Sequence, residues 1–460
     1  MKVFLAVFIC KILYFIGTKI GRGSSLPGKI VLKIFPDILR CLKLPETIIA
    51  VTGSNGKTTT TELIVHALKT TGVNVSWNRE GSNQTEGIAT LLLRDSSFSG
   101  RVICDAIVME CDERYAKKIF EMVKPTILLV TNLCRDQLTR NGHQEFIEDC
   151  LRSAIITAGN DVQLVLNTDD PYVAALITQG DEYVVSWFGI DVNQGVGQGV
   201  GGVTNFGQGV GGVTKNGQGG QGVGGVTNFG MYDDGAFCPV CKARMTYSYR
   251  ITGHYGNYKC TACSFKRHDP DFYLTGGMLK LKFPSTTNLY NFCAAVAVAE
   301  AAGIRTDESI RALDDYQLKS GRVLSLSIDD REGFLLLSKH ENSFAYDTSL
   351  KWIIEQNKPC TVIVLVDSIS RKYYTSETSW LWDIDFDLLA GESVKNVVLA
   401  GRYINELAAR FALSKVDRAK IGYIVDLSGL FEHVKNNTTG DIYALTCFAD
   451  KVKLLKAFNV

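Results

Sequence analysis

From Ile48 to about Ile190, short β-branched runs alternate with helix-like segments. The runs "ICDAIVME", "TILLVTN" and "VQLVLNTDD" are continuously apolar and end in polar residues, the pattern of parallel strands covered on both faces. This rhythm predicts a doubly wound, mostly parallel α/β sheet, whose ligands sit at the carboxyl ends of the strands. Further on, "NLYNFCAAVAVAEAAGI" reads as a helix with small residues on its packing face. From about Val323 the strand–helix rhythm returns in "FLLLSK", "TVIVLVD" and "NVVLAG", which predicts a second, smaller α/β domain running to Val460. The division expected is a helix and connector over residues 1–47, a central domain over 48–322 and a C-terminal domain over 323–460.

Two stretches break the pattern. Val3–Ile16, "VFLAVFICKILYFI", is strongly apolar, yet it is short for a membrane span and Lys11 interrupts it. No small-residue cleavage site follows cleanly, so it reads as a helix packed on the first domain or on a partner, with shallow membrane contact as the alternative. From Asp191 to Gly230 the decapeptide "QGVGGVTNFG" recurs in variants beginning at Gln198, Gln208 and Gln221. Gly, Gln and Asn dominate there and offer little apolar surface to offset the entropy of ordering, so a surface insertion outside the chemistry is expected.

Composition narrows the class. At 460 residues, 46% hydrophobic and 21% charged, the chain is globular and long enough for two or three cores. Lys and Arg number 49 against 48 Asp and Glu, which leaves no broad electrostatic case for nucleic acid. Nine of the 13 cysteines are scattered, among them Cys10, Cys104, Cys134 and Cys293 in apolar surroundings, as reduced buried thiols are in a cytoplasmic protein.

The other four cysteines form two pairs. "CPVC" (Cys238, Cys241) and "CTAC" (Cys260, Cys263) are separated by eighteen residues, the spacing of a tetrahedral four-thiolate site. "MTYSYR" and "YGNYK" between them read as hairpin strands. With four thiolates no coordination position stays open, so a bound Zn²⁺ would be structural rather than catalytic.

The sharpest chemical signal is "AVTGSNGKT", Ala50–Thr58. An apolar run, a small-residue turn, Gly-Lys-Thr and a helix-compatible segment follow one another as in a phosphate loop, with Ala50 where the first glycine stands. The backbone of Gly53, Ser54, Asn55 and Gly56 is expected to converge on phosphate oxygens at a helix start. Lys57 would neutralise the β/γ-phosphates, Thr58 would hold Mg²⁺, and Thr59 stands beside it. "VMECDERY" ends a predicted strand with Glu110, Asp112 and Glu113, Glu110 being the first choice for Mg²⁺. "TNLCRDQL" ends the next with Asn132, Arg135 and Asp136, where an arginine would stabilise a transferring phosphoryl group.

Taken with "NREGSN", "LNTDDP" and "TTNLYNFCAA", these motifs resemble the Mur ligase family over nearly the whole chain. "GRGSSLPGKI", the embedded cysteine module and "SWLWDIDF" narrow the resemblance to its MurT branch. The resemblance implies an ATP-dependent ligase of peptidoglycan synthesis. Such a ligase would convert the α-carboxylate of D-glutamate in the lipid II stem peptide to an acyl phosphate, which ammonia then attacks to give D-isoglutamine. It implies that Asn288 and Asn291 border the nucleotide and that Gly321 and Arg322 meet it from the domain junction. It also implies a zinc ribbon within the middle domain and a separate GatD-like glutaminase subunit. That partner would supply Cys and His and would borrow one carboxylate from the C-terminal domain. Glu377 and Asp367 are the candidates for this acid and Asp383 is a third, because "SISRKYYTSE" departs from the family's loop. The competing readings are a Mur-type ligase that adds an amino acid unaided, and an inactive nucleotide-binding scaffold.

Overall fold

The computed structural model describes residues 1–134, 143–177, 180–190, 233–274, 286–314, 316, 323–368 and 378–458. The repeat segment, Arg135, Asp136, Gly321, Arg322 and Glu377 lie outside the described residues. Contacts divide the chain into two compact units, the first chiefly Met1–Cys134, Gln144–Val226 and Gly235–Ser320, the second chiefly Gly321–Val460.

The first unit is built on seven parallel strands: β1 (Thr47–Thr52), β2 (Val75–Trp77), β3 (Ala106–Glu110), β4 (Ile127–Val130), β5 (Gln163–Asn167), β6 (Val184–Ile190) and β9 (Phe272–Leu274). Their order is β2-β3-β1-β4-β5-β6-β9. The three apolar runs singled out in the sequence become β3, β4 and β5, and β3 and β4 are buried along their whole length. From β1 the chain passes to one side for β2 and β3, then crosses to the other for β4. In such sheets that reversal opens a crevice at the carboxyl ends of the strands. Register aligns those ends, since Val51 pairs with Glu110 and Thr52 with Val130. Helices α1 (Lys2–Lys19), α2 (Leu26–Ile34), α3 (Lys57–Thr70), α4 (Thr85–Arg94) and α5 (Glu113–Phe120), with the helix Gln144–Ala158, cover the sheet. The core joins Ile48, Ala50, Ile107 and Met109 of the sheet to Leu91 and Leu92 of α4 and Phe120 of α5. α1 buries Ala6, Val7, Cys10 and Gly17, so it packs on this unit as the first of the sequence readings has it.

Between β6 and β9 the chain forms an antiparallel hairpin of β7 (Met245–Thr252) and β8 (Tyr255–Cys260), which carries the cysteine module. The second unit is a six-stranded mixed sheet in the order β10-β11-β15-β12-β13-β14. β10 (Val323–Ile328) and β11 (Arg331–Ser338) form an antiparallel hairpin, while β12 (Cys360–Leu365), β13 (Val394–Ala400), β14 (Ile421–Ile424) and β15 (Asp441–Cys447) pair in parallel. "FLLLSK", "TVIVLVD" and "NVVLAG" fall on β11, β12 and β13.

Candidate functional site

The turn between β1 and α3 makes a close approach that only glycine allows at two places. Gly53 has φ +122° and Gly56 φ +81°. A Cβ built on Gly53 would lie 2.3 Å from Thr131 Oγ1, and one on Gly56 would lie 2.2 Å from Asn291 Oδ1. Lys57 opens α3, so the first turn of that helix, whose amides have no partner within the helix, points its positive end into the crevice.

Lys57 is buried, with 5% exposure. Its ammonium donates to the Gly53 carbonyl and forms an ion pair of 2.6 Å with Glu113 Oε1, itself 5% exposed. Of the three carboxylates ending β3, the structure gives each a separate task. Glu110, buried at the strand end, accepts a bond of 3.0 Å from Asn83 Nδ2. Asp112 caps α5 by accepting from the Arg114 amide at 3.2 Å. Glu113 reaches Lys57. Thr58 is half-buried, and Thr59 and Asn291 are buried; Thr60 Oγ1 donates to Asn291 Oδ1 at 3.2 Å. The helix Thr286–Ala301 thereby brings Asn291 to the loop, while Asn288 is half-buried one turn earlier.

The amides of Ser54 and Asn55 donate to Asn132 O and Asn132 Oδ1, both at 2.8 Å. Asn132, one of the candidates at the end of β4, is joined to Asn55 a second time, its Nδ2 donating to Asn55 O at 3.0 Å. The physical reason is that a turn with so few side chains must satisfy its backbone elsewhere, and the end of β4 provides the partners. The end of β4 thus holds the middle of the turn, next to the first turn of α3 and Lys57.

The cysteine module has the geometry of a tetrahedral metal site. The four Sγ atoms of Cys238, Cys241, Cys260 and Cys263 lie within 4.8 Å of one another, with Cys238–Cys263 at 3.8 Å and Cys241–Cys260 at 3.4 Å. Four thiolates about 2.3 Å from one zinc ion would stand about 3.8 Å apart, so the donor set fits. The amides of Ala262 and Cys263 donate to Cys260 Sγ at 3.3 and 3.4 Å, and these bonds pull that thiol down to about 6.

The hairpin that bears this module is also joined to the phosphate loop, which the sequence reading did not foresee. Tyr255 OH lies 3.1 Å from Cys134 Sγ, both buried. Cys134 in turn brackets Ser54: its amide donates to Ser54 Oγ at 3.1 Å, and its carbonyl accepts from the same hydroxyl at 3.1 Å. Burial holds the Tyr255 phenol well above its ordinary range, so it remains a neutral hydrogen-bonding group. Beside it Tyr258 OH donates to Thr168 O at 3.0 Å. Arg267 Nε donates to Asp169 Oδ1 at 2.5 Å, and Tyr290 OH donates to Asp169 Oδ2 at 2.7 Å. Cys134 is the buried thiol its apolar setting suggests, and it also joins the hairpin to the loop.

In the second unit Asp367 follows β12. Its Oδ1 accepts from the Arg402 amide at 2.8 Å, and Lys453 Nζ donates to its Oδ2. Asp383 is half-buried at the end of the short helix Ser379–Asp383.

Strand, glycine turn, lysine and helix, set among the aligned ends of parallel strands, define a phosphate-loop α/β protein. Residues 51–206 match the Mur ligase middle domain and residues 339–450 match the MurT ligase C-terminal domain. The chain is 28% identical to the lipid II isoglutaminyl synthase (glutamine-hydrolysing) subunit MurT of Streptococcus pneumoniae, over 97% of this chain and 95% of that one. It is 26% identical to the subunit of the same name from Staphylococcus aureus, over 91% and 89%. Among solved structures, a pseudomurein peptide ligase type C from Methanothermus fervidus superposes with TM-score 0.64 at 19% identity, over 92% of this chain and 80% of that one, a likeness of fold. The chain thus resembles the Mur ligases in fold and in its middle domain, and the MurT subunits in its C-terminal domain. The Mur ligase family uses ATP and Mg²⁺.

Proposed function

We propose that the protein is the synthetase subunit of a glutamine-hydrolysing enzyme that amidates the D-glutamate α-carboxylate of the lipid II stem peptide. The observation that carries this reading is Lys57 at the mouth of α3, behind a glycine turn and beside the carboxylates ending β3, in a chain that matches MurT subunits almost end to end. A carboxylate expels oxide poorly, so it first takes the γ-phosphoryl group of ATP and releases ADP. Ammonia then adds to the acyl carbon, loses a proton and displaces inorganic phosphate, leaving the amide. Lys57 and the first turn of α3 bind the phosphates, with Asn288, Asn291 and Arg322 bordering the nucleotide. Thr58 and Glu110 hold Mg²⁺, which when bound neutralises phosphate charge. Cys238, Cys241, Cys260 and Cys263 hold Zn²⁺, which stabilises the hairpin.

In this reading residues 48–322 are the ATP-binding domain. Residues 323–460 dock a GatD-like glutaminase and lend its triad Asp367 or Glu377. The complex works in the cytoplasm, at the inner face of the membrane where its lipid-linked substrate resides. Purified chain with Mg-ATP, lipid II and ammonium should yield amidated muropeptide, read by mass spectrometry, without any partner. Product that forms only with an added amino acid would assign it instead to the amino-acid-adding ligases; binding of ATP with no product of either kind would leave a scaffold. With the glutaminase present, Asp367→Asn should abolish glutamine-driven but not ammonium-driven turnover if Asp367 is the borrowed acid, and Glu377→Gln should do so if Glu377 is.

A further inference from the structure

Helix α1 is apolar on both sides, and only one side is covered. Phe4, Leu5, Phe8, Ile12, Phe15 and Ile16 point away from the buried Ala6, Val7, Cys10 and Gly17, and are 43–63% exposed. At 3.6 residues per turn these six fall within about 120° of the helix circumference, with Lys19 in the same arc. The patch continues beyond the helix, since the half-exposed ring of Phe98 lies 5.2 Å from that of Phe4, which is 6.3 Å from that of Phe8. Single exposed apolar residues need no explanation, but a contiguous stripe marks a surface that something covers.

Charge identifies what covers it. The whole chain is balanced, yet residues 1–47 hold eight Lys and Arg against Asp37 and Glu46, and seven of the eight are exposed. Lys2 and Lys19 stand at the two ends of α1, the latter with its ammonium 4.6 Å from the Phe15 ring centroid, and Lys29 and Lys33 lie one turn apart on α2. A protein partner would be met by a rim of mixed sign. An apolar stripe with a lysine at each end of its helix, in a segment of net positive charge, suits a layer that is anionic at its face and hydrocarbon beneath. No helix among the described residues is long and apolar enough to cross a bilayer.

We propose that the outer face of α1 docks the protein on an anionic lipid bilayer, its apolar side chains at the acyl boundary and its lysines among the headgroups. The inference deepens the reading of a ligase that meets a lipid-linked acid, but its test needs no turnover. The full chain should co-sediment with vesicles of equal phosphatidylcholine and phosphatidylglycerol, less with pure phosphatidylcholine, and progressively less as salt is raised. Phe8→Asp combined with Phe15→Asp should reduce the partition at least about tenfold, and Lys2→Gln or Lys19→Gln about fivefold each. These positions are exposed, so melting temperatures should hold, which a calorimetric scan checks. Absence of binding to the mixed vesicles, or equal binding by the Phe8→Asp, Phe15→Asp variant, overturns the proposal. So does a concentration-dependent dimer that this variant abolishes, which would make α1 an interface between copies. A soluble stem-peptide substrate separates the two readings: if the ligase reading alone fails, it is not amidated while vesicle binding stands. If docking alone fails, it is amidated by wild type and variant equally.

Discussion

Removing the Lys57 ammonium, as in Lys57→Met, should cost stability as well as nucleotide binding, and the two losses separate. Lys57 and Glu113 form a pair 2.6 Å apart with 5% exposure on each side. Breaking such a pair from one side leaves a buried charge without its counter-ion, at a cost of about 3–5 kcal/mol. Glu113 is the first residue of α5, where the helix dipole returns up to about 1 kcal/mol to a carboxylate. The net loss expected is therefore about 2–4 kcal/mol. That should lower the melting temperature of this unit by roughly 4–16 °C in scanning calorimetry.

Lys57→Met combined with Glu113→Gln removes the stranded charge and should recover more than half of that loss. Isothermal titration with Mg-ATP should order the same variants differently. Both carriers of Lys57→Met should lose affinity by at least about tenfold, the worth of one charge-assisted hydrogen bond. Glu113→Gln alone should bind ATP as well as wild type or better, because its carboxylate competes with phosphate for the ammonium. Equal stability of the single and double variants would refute the account of the pair. Loss of ATP binding in Glu113→Gln would refute the view that Glu113 only parks the lysine.

Three other perturbations probe the remaining architecture. Tyr255→Phe keeps the ring but removes the hydroxyl at Cys134, so titration should find ATP affinity reduced several-fold and denaturation a loss of about 0.5–1.5 kcal/mol. Gly56→Ala imposes a left-handed backbone on alanine and drives its Cβ into Asn291 Oδ1; urea denaturation should show it at least about 1 kcal/mol less stable than Gly72→Ala, whose site is left-handed but open. In the second unit burial pushes the Asp347 carboxyl up to about 7, opposed by the Asp385 amide that donates to it. The folded value exceeds the unfolded one, so Asp347 lowers stability progressively as pH rises from about 4 to about 7. Asp347→Asn should remove that decline and stabilise the unit by a few kcal/mol at neutral pH, measured by urea denaturation at pH 5 and pH 8.

What the sequence made legible was local. The turn from Thr52 to Lys57 is contiguous, so its glycines and lysine announce it without help from the rest of the fold. The knuckles at Cys238 and Cys260 carry their own spacing, and β3, β4 and β5 are short enough for one apolar run each to mark them. What escaped was the wiring between distant positions. Asn132 lies 77 residues from the Asn55 it satisfies, Glu113 lies 56 from Lys57, and Tyr255 lies 121 from Cys134. Glu113 and Asn132 stand out in the sequence as polar residues at strand ends, but their partners emerge only when the sheet aligns the ends of β1, β3 and β4. Helix α1 shows the same limit from the apolar side. Its hydrophobicity is plain in the sequence, but periodicity cannot choose a face when both are apolar. Packing against α2 and α4 selects Ala6, Val7 and Cys10, and the turn at Arg22 and Gly23 closes on Gly17, where a Cβ would lie 3.0 Å from Gly23 Cα. The phenylalanines of α1 are left on the outside by the shape of its neighbours, not by any preference for water.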